Sequence, residues 1–575
     1  MQCILSKRLD MGLRRFGRSS LLLCAAAAIA SIASTMQGGA ASADVPSAQN
    51  SDEIVSIRRL TEEQYRRSIS DIFGADIKIS GRLQPDARRD GLIAIGTTRT
   101  SINTSGLAMY DAAAQEIAAQ IIDPSHRGAL IACEPADTKS ADDNCARRFL
   151  IRAGRFLYRR PLQPSEADKF VKLARMGAES RKDFFEGIST SLVAMLDSAP
   201  FLFRTERAVR SNGELILDSY SIASRLSFML WNAAPDDQLL DAAERGELAT
   251  DAGLAKQVDR LLASPRLEAG TRAFFSDMLA LSDLDSLQKD PQIYPRFNSR
   301  IALDAREQTL RTIVDVLVRR NEDYGTLFTT RRTFLSRSLG VLYGLPVTSR
   351  AGWEAHEFAA DDPRVGILAQ PAFLMGHSHP GRSSPTLRGK AVRELLLCQQ
   401  VPAPPANVDF AIVQNVKDPR FATARQRLSA HNSEAMCAGC HKLMDPLGLA
   451  MENFDGGAGM RTAENGVPID ASGELGVHKF SSMEGLGKAM ASDPSTGQCL
   501  VSRAYSYALG RSPDDEPLIK AVGETQGALP SDLKLRAVFR AVALSSEFRK
   551  MLAAGGAAMA RADQVRKTTE SSNGS

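Results

Sequence analysis

The sequence predicts a mainly α, multi-domain helical protein with a few short strands. Three observations predict it. At 575 residues the chain exceeds what one hydrophobic core can serve, so three or four packing units are expected. Apolar residues recur at helical spacing through most of the chain, while strand-like runs are few. Polar and proline-rich stretches then cut the chain into modules. Hydrophobic residues at 43% and charged residues at 24% are ordinary for a globular protein, and no internal run reaches about 18 apolar residues. No transmembrane span is therefore expected in the mature chain.

The first element is a leader. Lys7, Arg8, Arg14, Arg15 and Arg18 precede the apolar run "SSLLLCAAAAIASIAS", and "ASA" at 41–43 offers a cleavage site after Ala43. Arg14–Arg15 lacks the Ser or Thr that would mark twin-arginine export, so ordinary secretion is preferred. Lipid anchoring at Cys24 is the alternative, disfavoured by Leu23. The expected location is periplasmic or secreted. The 71 Lys and Arg, less the leader's five, equal the 67 Asp and Glu less its one, so the mature chain is formally neutral. That excludes a basic footprint, and with it a nucleic-acid partner.

The remaining elements follow in order. Residues 44–125 form an N-terminal helical module in which "IRRLTEEQYRRSISDIFG" (57–74) reads as a helix capped at Thr61. Residues 126–198 form a small helical module entered through the polar loop "CEPADTKSADDNC". A central helical domain spans 199–346, with a strand at "ELILD" (214–218) and helices over 218–231, 235–248 and 299–320. A fourth module spans 347–478; "VPAPPANVDF" (401–410) inside it is too rich in proline for helix or central strand, and 466–475 reads as a small hairpin. A C-terminal helical module (479–552) ends in a helix over 529–552, and 553–575 reads as a disordered tail.

Chemistry concentrates in the fourth module. "CAGCH" (437–441) has the C-x-x-C-H spacing for covalent attachment of a c-type haem. On one helical turn Cys437 and Cys440 can each add to a porphyrin vinyl group, and His441 is placed as the axial ligand. A zinc half-site would need two more ligands, and a redox disulfide would need a βαβ context. The fourth module is thus read as a C-terminal cytochrome-c-like haem module holding one covalent haem c. Removing the leader leaves six cysteines. With 437 and 440 on the cofactor, Cys133, Cys145, Cys398 and Cys499 remain, and they allow three connectivities. Cys133–Cys145 closes a short loop; Cys398–Cys499 then follows by elimination.

The second iron ligand must come from elsewhere. Met444, three residues after His441, projects to the same side of the helix, and His431 is expected to pack on the proximal side. The preferred distal candidate is His379, with His377 and Met460 as runners-up and Met451, Met483 and His478 behind them. An open position is the alternative. Ser384 caps a helix starting at Pro385, which would steady the histidine loop. Arg382, Arg388 and Lys390 could pair with haem propionates. Asp445 before Pro446 is read as a helix end, and "LGLAMENFD" (447–455) as folding back to line the pocket. Glu452 and Asp455 are read first as turn caps, with cation binding or proton donation as alternatives.

Several stretches together resemble a known family. "SYSIASRLSFMLWNAAPDDQLLDAAERGEL", "RVGILAQPAFLMGHSHPGRSSPTLRGKAVRELLLC" and "CAGCHKLMDPLGLAMENFDGGAGMR" are similar to large secreted cytochrome-c-like proteins of planctomycetes and some proteobacteria. These are assembled from domains of unknown function 1587, 1595, 1592, 1588 and 1585. "RRLTEEQYRRSISDIFG" resembles the first, "CARRFLIRAGRFLYRRPLQPSEADKF" the second and "CLVSRAYSYALGR" (499–511) the last; "SAPFLFRTE" leads into the third. The resemblance spans about residues 55–550. It implies a helical multi-domain fold with a c-type haem in the fourth module. It also implies that Cys437, Cys440 and His441 are the haem residues, and that His379, Pro385, Arg388 and Gly389 belong to the family's pattern. It supplies no reaction. The sequence has no second C-x-x-C-H, which argues against a mechanism needing two haems in one chain.

The expected function is a mono-haem oxidoreductase acting on an organic substrate near the haem. The alternatives are an electron-transfer cytochrome between a partner enzyme and the respiratory chain, or a binding scaffold with a structural haem.

Overall fold

The computed structural model describes residues 53–211, 214–350, 352–403, 411–431 and 435–551. The leader, most of the proline-rich 401–410 stretch and the C-terminal tail, on which expectations were placed above, lie outside the described residues. The described residues cluster as one packing unit.

A four-stranded antiparallel sheet gathers segments that are remote in sequence. Its order is Glu53–Arg59, Phe203–Ser211, Glu214–Leu217 and Lys550–Met551. The cap expected at Thr61 within 57–74 is present, and the residues before it form a strand that was not expected. Thr61 is the N-cap, accepting from the Gln64 amide while the Gln64 side chain reaches back to it, so the helix starts only at Glu62 and ends at Phe73. Residues before such a cap are extended, and here they pair with 203–208.

Two hydrophobic clusters replace the three or four cores expected. One is built from the first two helical modules: Tyr65, Tyr110, Phe149, Ile188 and Phe201 meet between the helices Thr104–Ile122, Asp143–Leu157, Pro164–Arg181 and Phe184–Leu196. The other runs from Leu92 to Phe548, because helices of the middle, fourth and last modules pack into one another rather than closing separate cores. Its axis is Ser219–Trp231, buried from Ser221 to Trp231 on every face. At the end of the last helix of the first group, burial and the neighbouring Asp111 carboxyl push Asp197 up to about 7.

The long 299–320 helix is α-helical only to Val314 and widens into a π turn over Asp315–Arg319, which keeps both Val316 and Leu317 buried. The C-terminal 529–552 segment is not one helix but Leu535–Leu544, Ser546–Arg549 and the last strand of the sheet. The 466–475 stretch is not a hairpin either. It supplies the second strand of one hairpin (463–464 with 467–468) and the first strand of another (473–475 with 478–480).

Both disulfides form as paired above. Cys133–Cys145 has Cα atoms 5.7 Å apart, and Cys398–Cys499, 5.2 Å apart, ties the fourth module to the last across 101 residues. No helix among the described residues is long and apolar enough to cross a membrane.

Candidate functional site

The motif lies on the helix Ala435–Leu449, which crosses the short helix Pro385–Ala391. Glycine makes this crossing as close as it is. A Cβ on Gly389 would stand 1.9 Å from the Met444 carbonyl oxygen, and one on Gly448 would stand 1.7 Å from that of Pro385. The crossing also corrects the expectation that Pro446 ends the helix. The helix runs through Pro446 to Leu449, because tertiary packing on both sides outweighs the one backbone bond proline removes. Arg393 Nε donates to the Leu443 carbonyl beside that break at 2.9 Å.

A cavity of about 400 Å³ opens beside this crossing. Cys440, His441 and Met444 line it from the motif helix; His379, Arg382 and the Pro385–Ala391 helix line it from the preceding segment. Val401, Pro402, Val413 and Leu428 complete apolar walls. The volume is that of a small-molecule or cofactor site. Cys440 is a free, half-buried thiol, while the Cys437 side chain lies outside the described residues.

His441 is held in one orientation. Its Nδ1 lies 2.9 Å from Asp445 Oδ2, and Thr386 Oγ1 donates to Asp445 Oδ1 at 2.9 Å. A carboxylate on Nδ1 holds the proton there and leaves Nε2 with a lone pair for a metal. Asp445 is therefore the orienting partner of the histidine rather than a turn residue. The signal was legible as a His and an Asp four residues apart on one helical face. His431 packs its ring edge-on against His441, centroids 5.1 Å apart.

On the facing segment, His379 is half-buried. Burial, with the positive charges of Arg382 and Lys289, pushes it down to about 4, so its ring is neutral at ordinary pH. Lys289 anchors this loop by donating to the carbonyls of Met375, Ser378 and His379 at 2.8, 3.3 and 3.1 Å. Nothing in the sequence around Lys289 pointed to that role. Arg382 lines the cavity, and its guanidinium makes no hydrogen bond or ion pair among the described residues. Lys390 also lines it, 3.8 Å from Glu394.

Other predicted residues lie elsewhere. Arg388 is fully buried outside the lining, bound to Glu452 at 3.2 Å and to the carbonyls of Met451, Phe454 and Asp455. Glu452 also accepts from Ser383 at 2.8 Å and Arg461 at 2.7 Å. Residues 447–455 therefore brace the loop rather than line the cavity, and Asp455 caps a turn by accepting from the Gly457 and Gly459 amides. His377 packs on Phe373 outside the lining, and burial pushes it down to about 4. Met460 is exposed; it, Met451, Met483 and His478 do not reach the cavity.

Four family models match the chain in order. They are the domains of unknown function 1587 (PSD3) over 58–123, 1595 (PSD5) over 145–206, 1592 (PSD4) over 217–345 and 1588 (PSCyt3) over 364–464. The last contains the whole cavity-bearing crossing. This succession, on a mainly helical frame, is the domain order of a cytochrome-c-like family. The chain belongs to the planctomycete-type cytochrome-c-like multi-domain family. Searches of curated proteins and of solved structures each return no match.

Proposed function

We propose that this protein binds one haem c covalently through Cys437 and Cys440, with His441 as axial ligand, and acts as an exported oxidoreductase on an organic substrate at the mouth of the cavity. The observation that carries the reading is the meeting of Cys440, His441 and His379 in one 400 Å³ cavity with apolar walls. The donor set fits the group: a free thiol, an imidazole whose Nδ1 is bound to a carboxylate, and an Arg382 guanidinium without a partner among the described residues that suits a propionate. Bound there, the haem would supply an iron that cycles by one electron. The chain's own residues would orient the axial imidazole through Asp445 and Thr386, exclude water with Leu387, Val401 and Leu428, and hold the His379 loop in place through Lys289. Two disulfides accord with an oxidising compartment outside the cytoplasm.

One observation favours a second reading, an electron relay. His379, neutral and lining the same cavity as His441, has the chemistry of a second strong ligand. Oxidised and reduced optical spectra of the protein and of His379→Ala decide between them. The enzyme reading expects a high-spin spectrum and carbon monoxide binding in the unaltered protein. The relay reading expects a low-spin, ligand-inert spectrum that turns high-spin in His379→Ala. A protein that carries no haem after expression with a cytochrome c maturation system contradicts both.

A further inference from the structure

A second cavity, of about 450 Å³, lies where the first module meets the central and last ones. Its most buried lining residues include Arg58, Arg204, Phe228 and Tyr507. Arg58 and Arg204 stand directly opposite each other on neighbouring antiparallel strands, a placement in which like charges repel. Both are buried, 2% and 5% exposed.

The two arginines are satisfied very differently. Arg58 donates to the carbonyls of Ala508 at 2.7 Å and Tyr507 at 3.1 Å. The Arg204 guanidinium lies over the Phe228 ring, 4.5 Å from its centroid, and makes no hydrogen bond or ion pair among the described residues; its Nε is sealed from solvent without a partner. Nor is a carboxylate available to it. Glu206, the buried acid of that strand, is taken bidentately by Arg225 at 2.8 and 2.5 Å. Asp277 is committed to Arg88 and to the amides of Ile93 and Ala94, and Asp86 to Arg59. Burial and the neighbouring Arg58 hold Arg204 well below the usual guanidinium range. A buried cation with open donors, an aromatic face and space in front of it is an arrangement that an anion completes.

We propose that this cavity binds a small organic monocarboxylate, its carboxylate taken by Arg204 beside Arg58 and its body extending toward the opening. The volume exceeds what a bare inorganic oxyanion fills. Asn232, whose Oδ1 accepts from Gln64 Nε2 at 3.0 Å, and Thr97, which donates to the Ala94 carbonyl at 2.8 Å, also line it. Glu63, exposed on the lining, disfavours a second negative charge on the same ligand, while Asp285 is already paired with Arg306 of the same lining at 3.2 Å. The site is independent of the cysteine-histidine cavity and of any reading of it.

The test is calorimetric titration and thermal shift of the purified holoprotein with acetate, lactate and glucuronate. Glucose serves as the uncharged counterpart, and inorganic phosphate and citrate as other anions. Saturable one-to-one binding of at least one monocarboxylate, with none of glucose, is expected, and Arg204→Met should weaken it at least about tenfold. Binding of phosphate or citrate in preference to all three monocarboxylates overturns the assignment. So does the absence of binding, or equal binding in Arg204→Met. Removing an uncompensated charge should leave the variant folded; should it not fold, the glucuronate-against-glucose comparison on the unaltered protein decides alone.

Discussion

The two cavities are alike in size and opposite in electrostatic completeness. Beside the cysteine-histidine cavity, Arg388 is as deeply buried as any side chain in the protein, yet Glu452 and a ring of carbonyls absorb its charge, and Arg461 and Ser383 complete the network. In the other cavity Arg204 is buried to a similar degree with no such partner among the described residues. The contrast separates two uses of a buried arginine. One braces a loop that presents His379 and Arg382. The other leaves donors facing open space, which the fold alone has no reason to tolerate.

The comparison breaks most sharply on Arg388. Arg388→Met leaves buried Glu452 with only Arg461 and Ser383, strips the donor from the Met451, Phe454 and Asp455 carbonyls, and should cost about 3–5 kcal/mol in denaturant unfolding. The same substitution at Arg204 should cost nothing or stabilise. Next comes the crossing itself: Gly389→Ala forces a methyl against the Met444 carbonyl and should cost about 1–3 kcal/mol, with loss of the His441–Asp445 geometry.

A smaller effect comes from the negative counterpart of the arginine pair, Asp197 beside Asp111. Asp197 holds its proton more tightly folded than unfolded, so its contribution is full below its ordinary value of 3.8 and is lost as pH rises through about 7. Because the group is half exposed, the loss should be only about 1 kcal/mol. Asp197→Asn should flatten stability between pH 5 and 8 in urea titrations. The smallest change is Arg204→Met, whose melting temperature without added anion should equal or exceed that of the unaltered protein.

Helix content, the Ser384–Pro385 cap and the Cys133–Cys145 bridge were legible from local spacing, and Cys398–Cys499 from cysteine parity alone. What was not legible depends on tertiary contact. The strand at Glu53–Arg59 exists because 203–211 pairs with it, and the helix passes Pro446 because Gly389 and Gly448 let two helices touch. Arg388 read as a propionate partner because its charge is visible in sequence while Glu452, 64 residues away, is not visible as its partner. Asp445 was the recoverable miss, since its spacing from His441 was in view.

Covalent haem is the claim on which the functional reading rests. The direct measurement is acid-acetone extraction of the purified protein, followed by mass spectrometry of the peptide spanning residues 437–441. The expected result is that the haem stays with the polypeptide, that this peptide carries the mass of one haem on Cys437 and Cys440, and that Cys440→Ala reduces the attachment. Haem that extracts freely, or a peptide of unmodified mass, would contradict it.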